Sequence, residues 1–177
     1  MHNRRVQSQT IDLIERVRSR LREVGQPCSV AGPASEEAVA AAEEQLGGAF
    51  PPSYRAFLRR FGSLTLPAEM AVVHDFVGID AKAPDGKGVV ERTLAARVEN
   101  RLGNALVVVG LGAGAREWFC LDAARGRTSD EHPVVMFDAR DNQVDMVFYD
   151  DFESMVREVL EFVEDTLLHP SGEASVG

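Results

Sequence analysis

The chain has 177 residues, of which 45% are hydrophobic and 27% charged, a composition typical of a folded domain and unlike that of a disordered or fibrous chain. Nineteen basic and 28 acidic residues give a formal charge of −9, which disfavours nucleic acid as a partner. The two cysteines, Cys28 and Cys120, are too few for a disulfide framework and fit a reducing compartment.

Segments that would direct the chain to or through a membrane are not predicted. Apolar runs such as residues 105–109 are far shorter than the roughly 20 residues that span a bilayer. The first twenty residues lack the apolar core of a secretory signal. We therefore expect a cytoplasmic protein without a membrane partner. We expect one domain over residues 1–169, in which residues 1–27 form a helical extension, and a disordered tail over residues 170–177.

Helical patterns dominate the first third of the chain. Apolar residues at steps of three and four predict an amphipathic helix over residues 10–24. Ser35 is a strong N-cap for a second helix, and Gly47 is suited to end it. Residues 51–53 (Pro-Pro-Ser) begin a third helix, which Gly62 closes.

The pattern then changes to that of a sheet. A strand is predicted over residues 70–79, a loop over 80–88, and a helix over 90–101, followed by strands over 105–109, 117–122, 133–138 and 144–149. The linker between the second and third of these four strands is too short for a helical crossover, which favours antiparallel pairing. The last strand alternates: Val144, Met146 and Phe148 are expected on one face, and Asp145, Val147 and Tyr149 on the other.

A broad apolar stripe predicts a final helix over residues 151–168. Helices, then a run of strands, then a helix are typical of the α+β class. We therefore expect an antiparallel sheet of about four to six strands, with the N-terminal helices and a long C-terminal helix packed against it.

The segment 33–62 resembles the SMI1/KNR4 (SUKH) superfamily. The matching features are the Pro-x-Ser helix start, Glu43-Glu44-x-Leu46-Gly47, Pro51-Pro52, Tyr54, Phe57-Leu58 and Phe61-Gly62. Weaker matches follow in the family's order at residues 106–110, 118–122, 133–138 and 151–153, so that the resemblance covers about residues 30–165. The family's acidic glycine turn is present at residues 110–115 with its glycines but without its acids.

The resemblance implies a function. Bacterial members are known mainly as immunity proteins that neutralise a cognate toxin, often a nuclease, and fungal relatives are regulatory interaction proteins. It therefore implies a non-catalytic protein that occludes the active site of a cognate toxin, such as a basic nuclease domain. The alternative is a regulatory or scaffold interaction module with no toxin partner. An acidic surface would steer association with a basic toxin.

Enzymatic chemistry is weakly indicated. The glycines at 110–115 follow an apolar strand, but a strand pattern comes next, which favours a hairpin turn over a dinucleotide loop. The four histidines lack metal-ligand spacing, and Cys120 is expected to be a buried, inert thiol. We expect no catalytic residue, cofactor or metal. A carboxylate pair within residues 138–165 is the enzymatic alternative.

Partner contacts are expected from acidic residues on turns beside the sheet, together with the single tryptophan. The predicted set is Asp80, Asp85, Glu117, Trp118, Asp138, Asp141 and Asp145. One phase of the strand exposes Trp118 as an interface anchor, and the opposite phase buries it in the core.

Overall fold

A computed structural model of the chain describes residues 2–79, 87–112, 114, 116–125 and 130–169, with side chains from residue 9 onward. Within these residues the helices are α1 (His2–Glu23), α2 (Glu36–Leu46), α3 (Pro52–Phe61), α4 (Val89–Glu99) and α5 (Phe152–Leu168). The strands are β1 (Ser29–Val30), β2 (Leu64–Thr65), β3 (Val73–Phe76), β4 (Leu106–Gly112), β5 (Glu117–Asp122), β6 (Val134–Asp138) and β7 (Gln143–Tyr149).

The described strands form one antiparallel sheet in which each strand pairs with the next along the chain, in the order β1 to β7. The α+β class and the packing of the C-terminal helix are confirmed. The sheet has seven strands, more than expected, because β1 and β2 have two residues each and leave no alternation to read.

The central strands are covered on both faces. Phe119 and Leu121 of β5 enter the main core, which α1, α3 and α5 cover. Their neighbours Trp118 and Cys120 face a second, smaller cluster beneath α4. Successive residues of a strand point to opposite faces, so one strand contributes to two cores. This arrangement explains why the strands contain long apolar runs.

The ends of α2 and α3 are built differently. At the start of α2, Ser35 Oγ accepts the N–H of Ala38 at 3.1 Å, as the sequence predicts. The residue before α3 is Pro51, which has no capping side chain. Glu131, from the loop before β6, performs this role: its carboxylate accepts the N–H of Ser53 at 2.9 Å and the Ser53 hydroxyl at 2.6 Å.

Two residues of the 33–62 block join α2 and α3 to the rest of the fold. The Glu43 carboxylate accepts the N–H of Phe50 at 2.7 Å and pairs with Arg55 at 2.5 Å, which fixes the connection between the two helices. The buried Tyr54 hydroxyl donates to the carbonyl of Val77 at 2.7 Å. These contacts show that the family motif builds the scaffold.

Three glycines allow the backbones that flank α3 and β3 to cross. The N–H of Gly32 donates to the carbonyl of Phe61 at 2.9 Å, and Gly62 follows with φ +73°. A Cβ atom at Gly78 would lie 1.5 Å from the carbonyl oxygen of Gly62, and one at Gly62 would lie 2.1 Å from that of Gly32. A side chain at either position would collide with backbone.

Several element boundaries differ from the predictions. The first helix begins eight residues earlier, at His2, and the strand predicted over 70–79 contracts to Val73–Phe76. β4 continues through the glycines to Gly112, so the turn is shorter than expected. The tail at residues 170–177 and most of the predicted loop at 80–88 lie outside the described residues. None of the described helices combines the length and apolar character needed to cross a bilayer.

The alternation predicted for the last strand is wrong. Val144 pairs with Phe137 and Val147 pairs with Val135, so two residues of β7 lie opposite the single residue Met136. This β-bulge changes the phase of the strand. Because Phe137 and Val135 share a face, their partners Val144 and Val147 also share one, contrary to the prediction.

Candidate partner-binding surface

Four of the predicted contact residues lie together at one end of the sheet. Glu117 begins β5 and pairs with Asp138 at the end of β6, Asp141 lies in the turn that follows, and Asp145 lies on β7. We call these four residues the acidic end. Glu117, Asp141 and Asp145 are exposed, and Asp138 is partly buried. The β-hairpin of β6 and β7 thus carries most of this surface.

Glu117 and Asp138 lie directly opposite each other on neighbouring strands. Like charges in that position destabilise a sheet. The Asp138 carboxylate also has a structural role, since it accepts the N–H of Arg140 at 2.7 Å and shapes the turn between β6 and β7.

Gly112, the last residue of β4, makes room for Glu117. A Cβ atom at Gly112 would lie 3.2 Å from both the Cβ and Oε2 atoms of Glu117, which is a tight contact, whereas one at Gly114 would lie 3.5 Å from its carboxyl carbon, in ordinary van der Waals contact. The absence of a side chain at Gly112 therefore lets Glu117 lie close against the backbone. The family's usual acids are missing from the glycine turn at residues 110–115, but Glu117 places a carboxylate beside it.

Trp118 does not lie on the same face as the acidic end. Its ring stacks on Phe137 with centroids 5.7 Å apart, within the cluster beneath α4. It is half-buried and lines a groove of about 130 Å³ beside Lys87 and Arg92. The strand has the phase that places Phe119 and Leu121 in the main core and Trp118 on the opposite face. Trp118 is only half-exposed there because α4 covers that face too, so one side of the ring packs in the second cluster and the other reaches the groove.

Two predicted contact residues, Asp80 and Asp85, lie outside the described residues. For the other five the structure gives positions, while their role in binding stays a prediction.

Sequence reasoning missed the exposed apolar run on β7. Met146, Val147 and Phe148 expose 52%, 36% and 42% of their surfaces, although they are consecutive. An alternating pattern would leave only every second residue exposed, which is why the pattern concealed the run. The exposure could have been expected from the place of β7 in the chain, since the last strand of an antiparallel run often forms the edge of the sheet.

The chemical groups that this surface has been shown to offer are the carboxylates of the acidic end. Across the described ranges, no three His, Cys, Asp or Glu residues are arranged to hold a metal ion. Burial raises the pKa of the Cys120 thiol well above its ordinary value, and this group lies in the cluster beneath α4. A thiol that stays protonated is a poor nucleophile. The arrangement is suited to binding through charge and apolar contact.

Comparison with known proteins gives one family. A SUKH family model described as SMI1-KNR4 cell-wall matches residues 10–161. This range includes all seven described strands and most of α1 and α5. A search of curated proteins finds no match.

Proposed function

Because the chain belongs to the SMI1/KNR4 (SUKH) family, we propose that it is a non-catalytic immunity protein that binds a cognate toxin and covers the toxin's active site. Bacterial members of the family are known mainly for this role. The observation that carries the proposal here is the acidic end, where Glu117 lies opposite Asp138 and the exposed Asp141 and Asp145 follow on the hairpin of β6 and β7.

The proposed mechanism is steric and electrostatic. A nuclease binds phosphate through Lys and Arg, so its active-site cleft attracts a surface of carboxylates. The net charge of −9 accelerates the encounter, and the exposed side chains of Glu117, Asp141 and Asp145 would then occupy the cleft. Substrate is excluded without any turnover by the immunity protein.

A regulatory interaction module is the second candidate, since fungal relatives act in this way. The same acidic end would then bind a cationic region of a cellular protein. The gene beside the one for this chain distinguishes the two: a large modular protein that ends in a nuclease-like domain favours immunity.

The test is toxin protection. The toxin-like domain encoded beside this gene is induced in a heterologous host with and without this protein, and the purified pair is examined for a complex. We expect rescue of growth and a 1:1 complex whose association slows as salt rises. Absence of both would refute the immunity role and leave the regulatory candidate.

Charge reversal maps the surface. Asp141→Lys with Asp145→Lys should slow association by about tenfold or more, because rim charges act mainly on the association rate. Asp138 is left intact because it shapes a turn. Asp165→Lys with Glu161→Lys is the matched control, since both residues are exposed on α5 away from the acidic end. Equal slowing by both pairs would show a non-local charge effect and exclude the acidic end as the contact surface.

A further inference from the structure

β7 is the last strand of the sheet, and no described strand lies beyond it. It spans seven residues, from Gln143 to Tyr149, whereas β1 at the opposite edge has only two. An edge strand presents N–H and C=O groups that have no neighbour on one side. β7 is therefore the longer template for pairing with another extended chain.

Bulges expose the side chains of this edge. Asp145 and Met146 lie opposite Met136, and Phe148 is an extra residue between the paired positions Val147 and Tyr149. The exposed run Met146–Val147–Phe148 results from these two shifts. We call these three residues the β7 edge.

Phe148 is already held in place. Its ring meets Phe119 of the main core edge-on, with centroids 5.6 Å apart, and lies 5.4 Å from the ring of Tyr149. A partly exposed aromatic ring fixed by its neighbours loses little conformational freedom on binding. Such rings are typical anchors of protein interfaces.

The charges around the β7 edge indicate what it binds. Residues 138–151 contain five aspartates and one arginine, and Asp141, Asp145 and Asp150 are all exposed. A second copy of the chain would bring the same acids against them, and each copy has a net charge of −9. A segment in which apolar residues alternate with Lys or Arg would match both the exposed apolar residues and the aspartates around them.

We infer that the β7 edge accepts an extended cationic segment of a partner protein as an additional antiparallel strand, with Phe148 as the apolar anchor. Main-chain hydrogen bonds and alternate side chains supply affinity and specificity in this mode of recognition. The inference deepens the proposed function, since the partner would be the toxin. In that case the acidic end steers the toxin and the β7 edge holds it.

The test uses a defined probe and needs no toxin. An acetylated and amidated heptapeptide, KVKFKVK, is titrated into the isotopically labelled protein, and the backbone amides are followed by NMR. We expect saturable shifts concentrated at residues 143–150. The acidic peptide EVEFEVE should bind at least tenfold more weakly. KVKFKVK methylated at alternate backbone nitrogens, which keeps the charge but cannot complete a strand, should also lose at least tenfold.

Two variants test the anchor. Phe148→Ser should weaken peptide binding at least fivefold, and Met146→Ser, at a more exposed position less able to disturb the fold, should weaken it at least twofold. Val98→Ser is the control, because Val98 is 84% exposed on α4 and should not affect binding.

The inference would be overturned by the absence of saturable binding, by equal binding of the methylated or acidic peptide, or by shifts centred elsewhere. Dimerisation of the protein through β7, seen by sedimentation and as protected β7 amides, would instead identify a second copy as the occupant and overturn it too. Failure with the peptide leaves the result of the toxin-protection test standing, and failure of protection leaves peptide binding standing.

Discussion

Three glycines, Gly32, Gly62 and Gly78, lie where the segments that flank α3 and β3 cross. They determine how closely these segments approach. The obstruction at Gly78 comes from the carbonyl oxygen of Gly62, which is main chain and cannot rotate aside as a side chain can. Relief would require the backbones to separate, and Tyr54 binds the adjacent carbonyl of Val77. A single methyl group added at Gly78 would therefore disturb the packing of α3 against the sheet.

Gly78→Ala is expected to destabilise the protein by more than about 3 kcal/mol, because overpacking against backbone cannot be relieved locally. Gly103→Ala is the matched control, since a Cβ atom there has no neighbour within 4 Å. It should change stability by less than about 1 kcal/mol. Urea unfolding followed by circular dichroism measures both, and similar midpoints for the two variants would contradict the steric argument.

At the scale of elements, α3 depends on a distant residue for its start. Its first turn has no capping side chain of its own, and Glu131 accepts both the N–H and the hydroxyl of Ser53 from 78 positions along the chain. A carboxylate at a helix N-terminus also interacts favourably with the helix dipole. The loop before β6 and the aromatic helix α3 are thus one structural unit.

Glu131→Ala should lower the free energy of unfolding by about 1–2 kcal/mol, the usual cost of losing a helix N-cap. Glu44→Ala, at an exposed position on α2, is the control and should have a smaller effect. Glu131→Gln keeps an acceptor oxygen and loses the charge, so its loss should be intermediate. Urea midpoints give the ranking, and an unchanged midpoint for Glu131→Ala would show that the contact contributes no stability.

Sequence reasoning succeeded where the signals are local. Ser35 and Gly47 bound α2 as predicted, because a capping hydroxyl and a left-handed glycine act within a few residues. It failed where contacts between distant segments determine the local structure. The Glu131 cap has no local signature, and the phase of β7 depends on bulges opposite β6. Antiparallel pairing of the strands predicted over 117–122 and 133–138 is enough to bring Glu117 close to Asp138. The exposure of Phe148 cannot be worked out in this way.

At the scale of the whole molecule, every thiol and phenol of the chain is affected by burial. The sequence has two cysteines and two tyrosines, and burial is the main cause that raises the pKa of Cys28, Tyr54, Cys120 and Tyr149. These groups are neutral when protonated, so the folded state favours the protonated form. Their contribution to stability is complete below the pKa values of the unfolded chain and is lost as pH rises above them.

The urea midpoint should therefore fall as pH rises above about 9, since unfolded cysteine titrates near 8.5 and tyrosine near 10. Cys120→Ala should reduce the fall between about pH 9 and 10. Tyr54→Phe should start from a lower midpoint, because it loses the bond to Val77, but should fall less above about pH 10. A urea midpoint that stays constant up to pH 11 would contradict the conclusion that burial of these thiols and phenols stabilises the fold at lower pH.

The cap on α3 also sets an order of events during synthesis. A ribosome adds roughly 5–20 residues per second, so Glu131 is joined to the nascent chain about 4–16 seconds after Ser53. During that interval the helix that carries Tyr54 and Phe57 lacks its cap. The aromatic side chains that will form the main core then also lack β6, β7 and the helix α5, which follow Glu131 in the chain. Chaperones and proteases therefore have several seconds of access to them.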